Sequence, residues 1–146
     1  MKISSKGRYA LRMMIDIAEN SGDRPVAIKD ISERQGISTK YLEQIVTGLT
    51  RAHLLKSERG PQGGYMLTKA PKDYTAGQIL RAIEGSLAPV ACLADETNQC
   101  GRYSFCQTID FWTGLYRAID DYVDSVTLQD FLRDPSEQAW GHGLAI

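Results

Sequence analysis

Cysteine is absent from this chain except in "CLADETNQCGRYSFC", residues 92–106, which holds all three. An odd number in one stretch argues against a disulfide framework and favours metal binding or thiol chemistry. Long apolar runs are missing too, and nothing approaches the ~20 residues of a membrane span. The opening "MKISSKGRYALRMM" has no apolar signal-peptide core followed by a cleavage site, so a cytoplasmic location without a membrane partner is expected. Histidine is scarce: only His53 and His142 occur, neither in the cysteine stretch. There is no nucleotide-binding loop and no catalytic pair, so no enzyme is expected.

What is present describes one globular domain of 146 residues, with 42% apolar and 24% charged side chains. The net charge of −1 conceals an asymmetry. Residues 1–69 carry 12 Lys+Arg against 7 Asp+Glu, whereas residues 70–146 carry 5 against 11. A basic front half points to an anionic partner, of which nucleic acid is the commonest.

Ser4 or Ser5 can cap a first helix whose Leu11, Met14, Ile15 and Ala18 share one face. "VAIKDISERQGIS" reads as a short helix ended by Gly36, and Ser38 opens the next, with Leu42, Ile45, Val46 and Leu49 as its buried stripe. Two helices joined by such a turn make a helix-turn-helix. In "LLKSERGPQGGYMLTK" the period changes to two on either side of a Gly-rich tip, which predicts a β-hairpin. The fold class is therefore mainly α with a small hairpin, a winged helix-turn-helix. Thr75 and Gln78 form a capping box for a further helix stopped near Gly85.

Beyond the cysteines, Ile109, Trp112, Tyr116, Ile119, Val123 and Val126 recur at spacings of three and four. That is an a/d seam on a helix of about five turns, with Asp120, Asp121 and Asp124 off it. The plainer reading packs it against its own domain; the sharper one, expected here, is a homodimer formed with the same helix of a second chain. Thr127 should cap a short last helix containing Leu128, Phe131 and Leu132. The organisation expected is a DNA-binding domain over 1–85, a cysteine loop over 86–106, dimerisation and terminal helices over 107–134 and a frayed tail over 135–146.

The outer face of the second helix of the pair carries Thr39, Lys40, Tyr41, Glu43, Gln44, Thr47 and Arg51, preceded by Ser38. Gln pairs with adenine, Glu accepts from the cytosine amino group, and Lys and Thr suit phosphate or guanine. An ordinary solvated helix face has the same composition. Arg59 at the hairpin tip, beside Gly60, Gly63 and Gly64, carries more weight, because glycines let the backbone approach a groove and Arg suits a narrow minor groove. Ser4, Ser5, Lys6 and Arg8 offer hydroxyls and charges to phosphates. Double-stranded DNA is thus the expected partner.

The cysteine spacing, Cys92-x7-Cys100-x5-Cys106, leaves several chemistries open. Structural zinc prefers close Cys pairs or Cys with His, and neither occurs here. Free thiols remain possible, although Cys92 and Cys100 lie in polar sequence. An iron–sulfur cluster needs mainly cysteines and accepts a different fourth ligand.

"SSKGRYALRMMIDIA", "ISERQGISTKYLEQIV" and "RGPQGGYMLTK" resemble the IscR-like, or Rrf-two, family of winged-helix regulators over residues 1 to about 133. The resemblance implies a homodimeric transcription regulator, acting as a repressor, in which Glu43 and Gln44 read bases and Arg59 enters the minor groove. It also implies an iron–sulfur cluster, 2Fe-2S in preference to 4Fe-4S, held by Cys92, Cys100 and Cys106. Three positions depart from the family pattern. Lys40 replaces a small polar residue; Ile109 stands where a ligating histidine is found; Arg8 stands where relatives have an acidic ligand. For a fourth ligand Asp110 is close in sequence, and Asp95 and Glu96 lie within the loop. The plainer reading of Asp110, a solvated helix residue, is favoured, and His53 is expected to cap helix carbonyls. A cluster-free regulator working by thiol oxidation or a protein partner is the rival, and an iron–sulfur carrier would leave the wing and recognition helix without purpose.

Overall fold

The computed structural model describes residues 2–132; the expected tail over 135–146, with His142, lies outside them. Ser4 caps α1, Ser5–Asn20, by accepting the Gly7 N–H at 3.1 Å. Helix α2, Ile28–Gln35, ends at Gly36 with φ 66 and ψ 33, the left-handed geometry that glycine adopts without strain. Ser38 caps α3, Thr39–Arg51, by accepting the Tyr41 N–H. Strands β1, Leu55–Glu58, and β2, Gly64–Leu67, pair antiparallel with Leu55 opposite Leu67 and Ser57 opposite Tyr65. Both Thr75–Gln78 capping bonds are formed at α4, Ala76–Glu84. Helix α5 runs Ile109–Ser125, and Thr127 caps α6, Leu128–Phe131.

Met13, Met14 and Ile17 of α1 meet Ile31, Leu42, Ile45, Leu49, Leu55, Ile79 and Leu128 in one core without solvent exposure beyond 2%. Each such side chain contributes roughly 1.5–3 kcal/mol by leaving water. Tyr74 lies at the centre, its hydroxyl donating to the Leu54 carbonyl at 2.8 Å and accepting the Thr68 N–H at 2.7 Å. Backbone bonds of Ala76 to Val126 and of Leu128 to Tyr74 fold the α5–α6 junction back against this head.

Three features refine the sequence expectations. A bridge between Val26 and Tyr65, with both N–H···O bonds at 2.9 Å, adds a third short edge to the hairpin. His53 ends α3 through its main chain. It sits at φ 59, and its N–H bonds Thr50 O while Leu54 N–H bonds Leu49 O, the paired bonds of a Schellman cap. The α5 seam is divided: Val126 is buried and Ile109, Trp112, Tyr116, Ile119 and Val123 are half-buried. A different stripe is more open, with Phe111 63%, Leu115 38% and Tyr122 58% exposed. The cause is α4, against which the C-terminal half of α5 packs. Arg81 donates to Asp120 and Asp124 at 2.7 Å, so these two carboxylates bind an internal cation. The Asp124 bond foremost, then that to Asp120, raises the Arg81 pKa against the opposing effect of burial.

Candidate DNA-binding surface and cysteine loop

Helix α3 turns Leu42, Ile45, Val46 and Leu49 inward, which leaves Thr39, Lys40, Glu43, Gln44, Thr47 and Arg51 exposed on the opposite side. Ser38, also exposed, accepts the Tyr41 N–H at its hydroxyl oxygen as the helix cap, a bond that does not use the hydroxyl proton. Thr47 donates to the Glu43 carbonyl at 2.9 Å, within its own helix. Tyr41 departs from the expected polar face. Its ring is half-buried, edge-on to Tyr9 at 5.7 Å, while the Arg12 guanidinium lies 5.2 Å from the Tyr9 ring. An aromatic one residue from the Lys40 position thereby packs α3 onto α1.

Arg59 and Gly60 lie exposed at the hairpin tip, Gly60 at φ 118. The other wing glycines have an internal explanation that sequence reasoning missed. A Cβ on Gly63 would collide with the Glu58 carbonyl, and one on Gly64 would collide with the main chain of Val26. These two glycines let the chain approach itself.

At the start of α1, Arg8 donates to the Ser5 hydroxyl at 3.0 Å, and both residues are exposed, while Lys6 is half-buried. Ser4 is more heavily engaged: its main-chain N–H and its hydroxyl both donate to Oε1 of Glu84. Asp16, deeper in α1, was not singled out by sequence either. Only 1% exposed, it accepts from Arg34 Nη2 at 2.8 Å and Gln35 Nε2 at 2.9 Å, which ties α1 to the first helix of the helix-turn-helix. The hydrogen bond that Arg34 donates to Asp16 raises the Arg34 pKa, with burial opposing it. The signal available was only an Asp on the apolar side of a helix.

The cysteine loop has little core of its own beyond Leu87, which is 3% exposed. Cys92 lies in a 3-10 turn, Ala91–Leu93, and lines an open groove of about 870 Å³ with Asp95, Glu96 and Asp110. Cys100 is exposed, its N–H donating to the side-chain Oδ1 of Asn98 at 2.8 Å. Cys106 follows the turn Tyr103–Phe105, with its sulfur 3.5 Å from the Thr108 hydroxyl. Hydrogen bonds from the Thr108 side chain, then its backbone, lower the Cys106 pKa, with a smaller contribution from Arg102. Among the described residues no three His, Cys, Asp or Glu side chains are gathered as metal ligands. The donor chemistry suits a soft metal centre, then, but the three thiols expected to ligate it are not assembled: Cys106 faces Thr108, while Cys92 faces the groove. Asp110, exposed in the first turn of α5, shares the groove with Cys92 and also suits the positive helix end. Among the described residues no helix is long and apolar enough to cross a membrane.

The Rrf2 family model, described as an iron-dependent transcriptional regulator, matches residues 3–134. The regulator IscR of Photobacterium profundum is 40% identical over 138 residues, covering 94% of this chain and 79% of that protein. The solved structure of T. potens IscR superposes with a TM-score of 0.73 at 40% identity, over 96% of this chain and 91% of that one. CymR, the global cysteine regulator of B. subtilis, superposes with a TM-score of 0.73 at 37% identity, covering 90% and 96%. These relatives are named regulators rather than enzymes. With its helix-turn-helix, wing and trailing long helix, the chain belongs to the Rrf2 family of transcriptional regulators.

Proposed function

We propose that this protein is a homodimeric, sequence-specific DNA-binding repressor whose cysteine loop reports iron–sulfur or redox status. The observation that carries the DNA reading is the exposed polar face of α3 beside an exposed Arg at the wing tip. In this reading Glu43 and Gln44 meet base edges in the major groove, with Thr39, Lys40 and Ser38 at phosphates or guanine. Arg59, beside Gly60, enters the minor groove. Ser5, Lys6 and Arg8 meet the backbone, whereas the Ser4 hydroxyl and the Tyr41 ring serve the fold. Two copies joined along the open stripe of α5 would present two such heads to a two-fold operator.

Cys92, Cys100 and Cys106 are the residues that would hold an iron–sulfur cluster, with Asp110 as the candidate fourth ligand. When bound, such a group supplies a redox-active centre that is labile to oxidants. The loop must reorganise to gather its thiols, and its place between the head and α5 suits it to alter DNA affinity. The second reading is a cluster-free thiol sensor. It is favoured by the lowered pKa of Cys106 and by the likeness to CymR.

Two measurements test these readings. Arg59→Ala should weaken operator binding by about 1–3 kcal/mol at fixed salt, read by fluorescence anisotropy; unchanged affinity refutes the wing contact. Protein purified without oxygen from iron-replete cells should be coloured and contain iron and sulfide, and each Cys→Ala variant should bleach it without unfolding the helices. Colourless wild-type protein lacking both elements refutes the cluster and leaves the thiol sensor.

A further inference from the structure

We infer that Glu84 is the positioning residue through which the cysteine loop acts on the DNA-facing start of α1. The inference rests on the reading that this loop senses and that this helix end meets DNA. Glu84 is the last residue of α4, and Gly85, at φ 77, turns the chain directly into the loop. Oε1 of Glu84 accepts the Ser4 main-chain N–H at 2.9 Å and also the Ser4 hydroxyl. That hydroxyl in turn accepts the Gly7 N–H. Carboxylate, hydroxyl and first-turn amide thus form one chain of bonds, with the negative group at the positive end of the helix.

A second observation shows that the sequence accommodates this contact. Gly7 is buried inside α1, where glycine weakens a helix. Its φ is not in the left-handed region, so the backbone does not demand it. A Cβ at that position would collide with Oε1 of Glu84, and this is what alanine would forfeit. The head therefore keeps a weakened first helix in order to admit a carboxylate from the entrance of the loop. A loop that reorganises pulls on Gly85 and withdraws Glu84. Ser4 then loses its acceptor, and the turn bearing Ser5, Lys6 and Arg8 loosens.

The test compares full-length wild type, Glu84→Ala, Glu84→Gln and Gly7→Ala, before and after alkylation of the loop thiols with iodoacetamide. Operator affinity and amide hydrogen exchange at residues 4–8 are read in each state. Alkylation should shift wild-type affinity at least about fivefold, the low end of ordinary coupling, and speed the exchange. Glu84→Ala should exchange fast from the outset and respond to alkylation less than about twofold, with Glu84→Gln in between because it keeps an acceptor oxygen. Should Glu84→Ala not fold, Gly7→Ala displaces the carboxylate from the other side and serves the same comparison. The inference is overturned if alkylation leaves wild-type exchange or affinity unchanged, or moves the Glu84 and Gly7 variants as far as the wild type. Arg8→Ala separates the underlying reading: unchanged operator affinity there shows that this helix end does not meet DNA, whatever Glu84 does.

Discussion

Replacing Arg34 with Met should leave the Asp16 carboxylate buried with one neutral donor, Gln35. Breaking a buried ion pair by deleting one partner costs about 3–5 kcal/mol. Arg34, however, keeps 40% of its side-chain surface in water against 2% for Asp16, so solvent already screens the cation. A loss of about 2–3 kcal/mol is therefore expected, below the fully buried case. For a domain of this size that corresponds to a melting point lower by roughly 8–12 °C. The double variant Asp16→Leu with Arg34→Met removes charge and partner together, and should recover to within about 1 kcal/mol of wild type. Urea denaturation followed by far-ultraviolet circular dichroism measures both. The reasoning fails if Arg34→Met costs less than about 0.5 kcal/mol, or if the double variant is as unstable as the summed singles.

Gly64→Ala pushes a Cβ into the Val26 main chain and should cost about 1–3 kcal/mol while opening the Val26–Tyr65 bridge, read as faster exchange of those two amides. Leu115→Glu, on the open stripe of α5, should dissociate the proposed dimer in sedimentation without lowering monomer helicity; Ile119→Glu, on the half-buried seam, should lower helicity as well. Thr108→Val removes the hydroxyl that lowers the Cys106 pKa. A lowered pKa means more thiolate at neutral pH, so the variant's Cys106 alkylation profile should move to higher pH while that of Cys92 stays in place.

Much of the head was legible because its signals are local. Ser4, Gly36, Ser38 and the Thr75–Gln78 pair act within one turn of their own position, and each does so here. The features that escaped depend on residues far apart in sequence. Asp16 looks like any polar helix residue until Arg34 arrives from another helix, and Gly64 looks like a turn glycine until Val26 approaches it. Tyr41 misled because Lys40 and Gln44 beside it on α3 are exposed while its ring reaches Tyr9. Periodicity picked out the stripe from Ile109 to Val126, which the fold leaves half-buried up to Val123, but it could not tell that α4 would cover part of one side and leave Phe111, Leu115 and Tyr122 open. In the loop, spacing identified the thiols as a group, yet a contact such as that between Cys106 and Thr108 depends on backbone turns that no periodic pattern encodes.

The attachment of the cysteine loop at its two ends has an evolutionary consequence. One end is fixed at Glu84 and Leu87, and the other enters a helix pinned to the head through Asp120, Asp124 and the Val126 carbonyl. Residues 91–105 between these anchors supply no fully buried side chain. Substitutions, insertions and exchanges of the cysteines there leave the core untouched and cost only the slow entropic rise that accompanies a longer loop. Lineages can therefore rewrite the chemistry of this segment while the head is inherited unchanged, and an engineer can graft a different recognition element between the same two anchors.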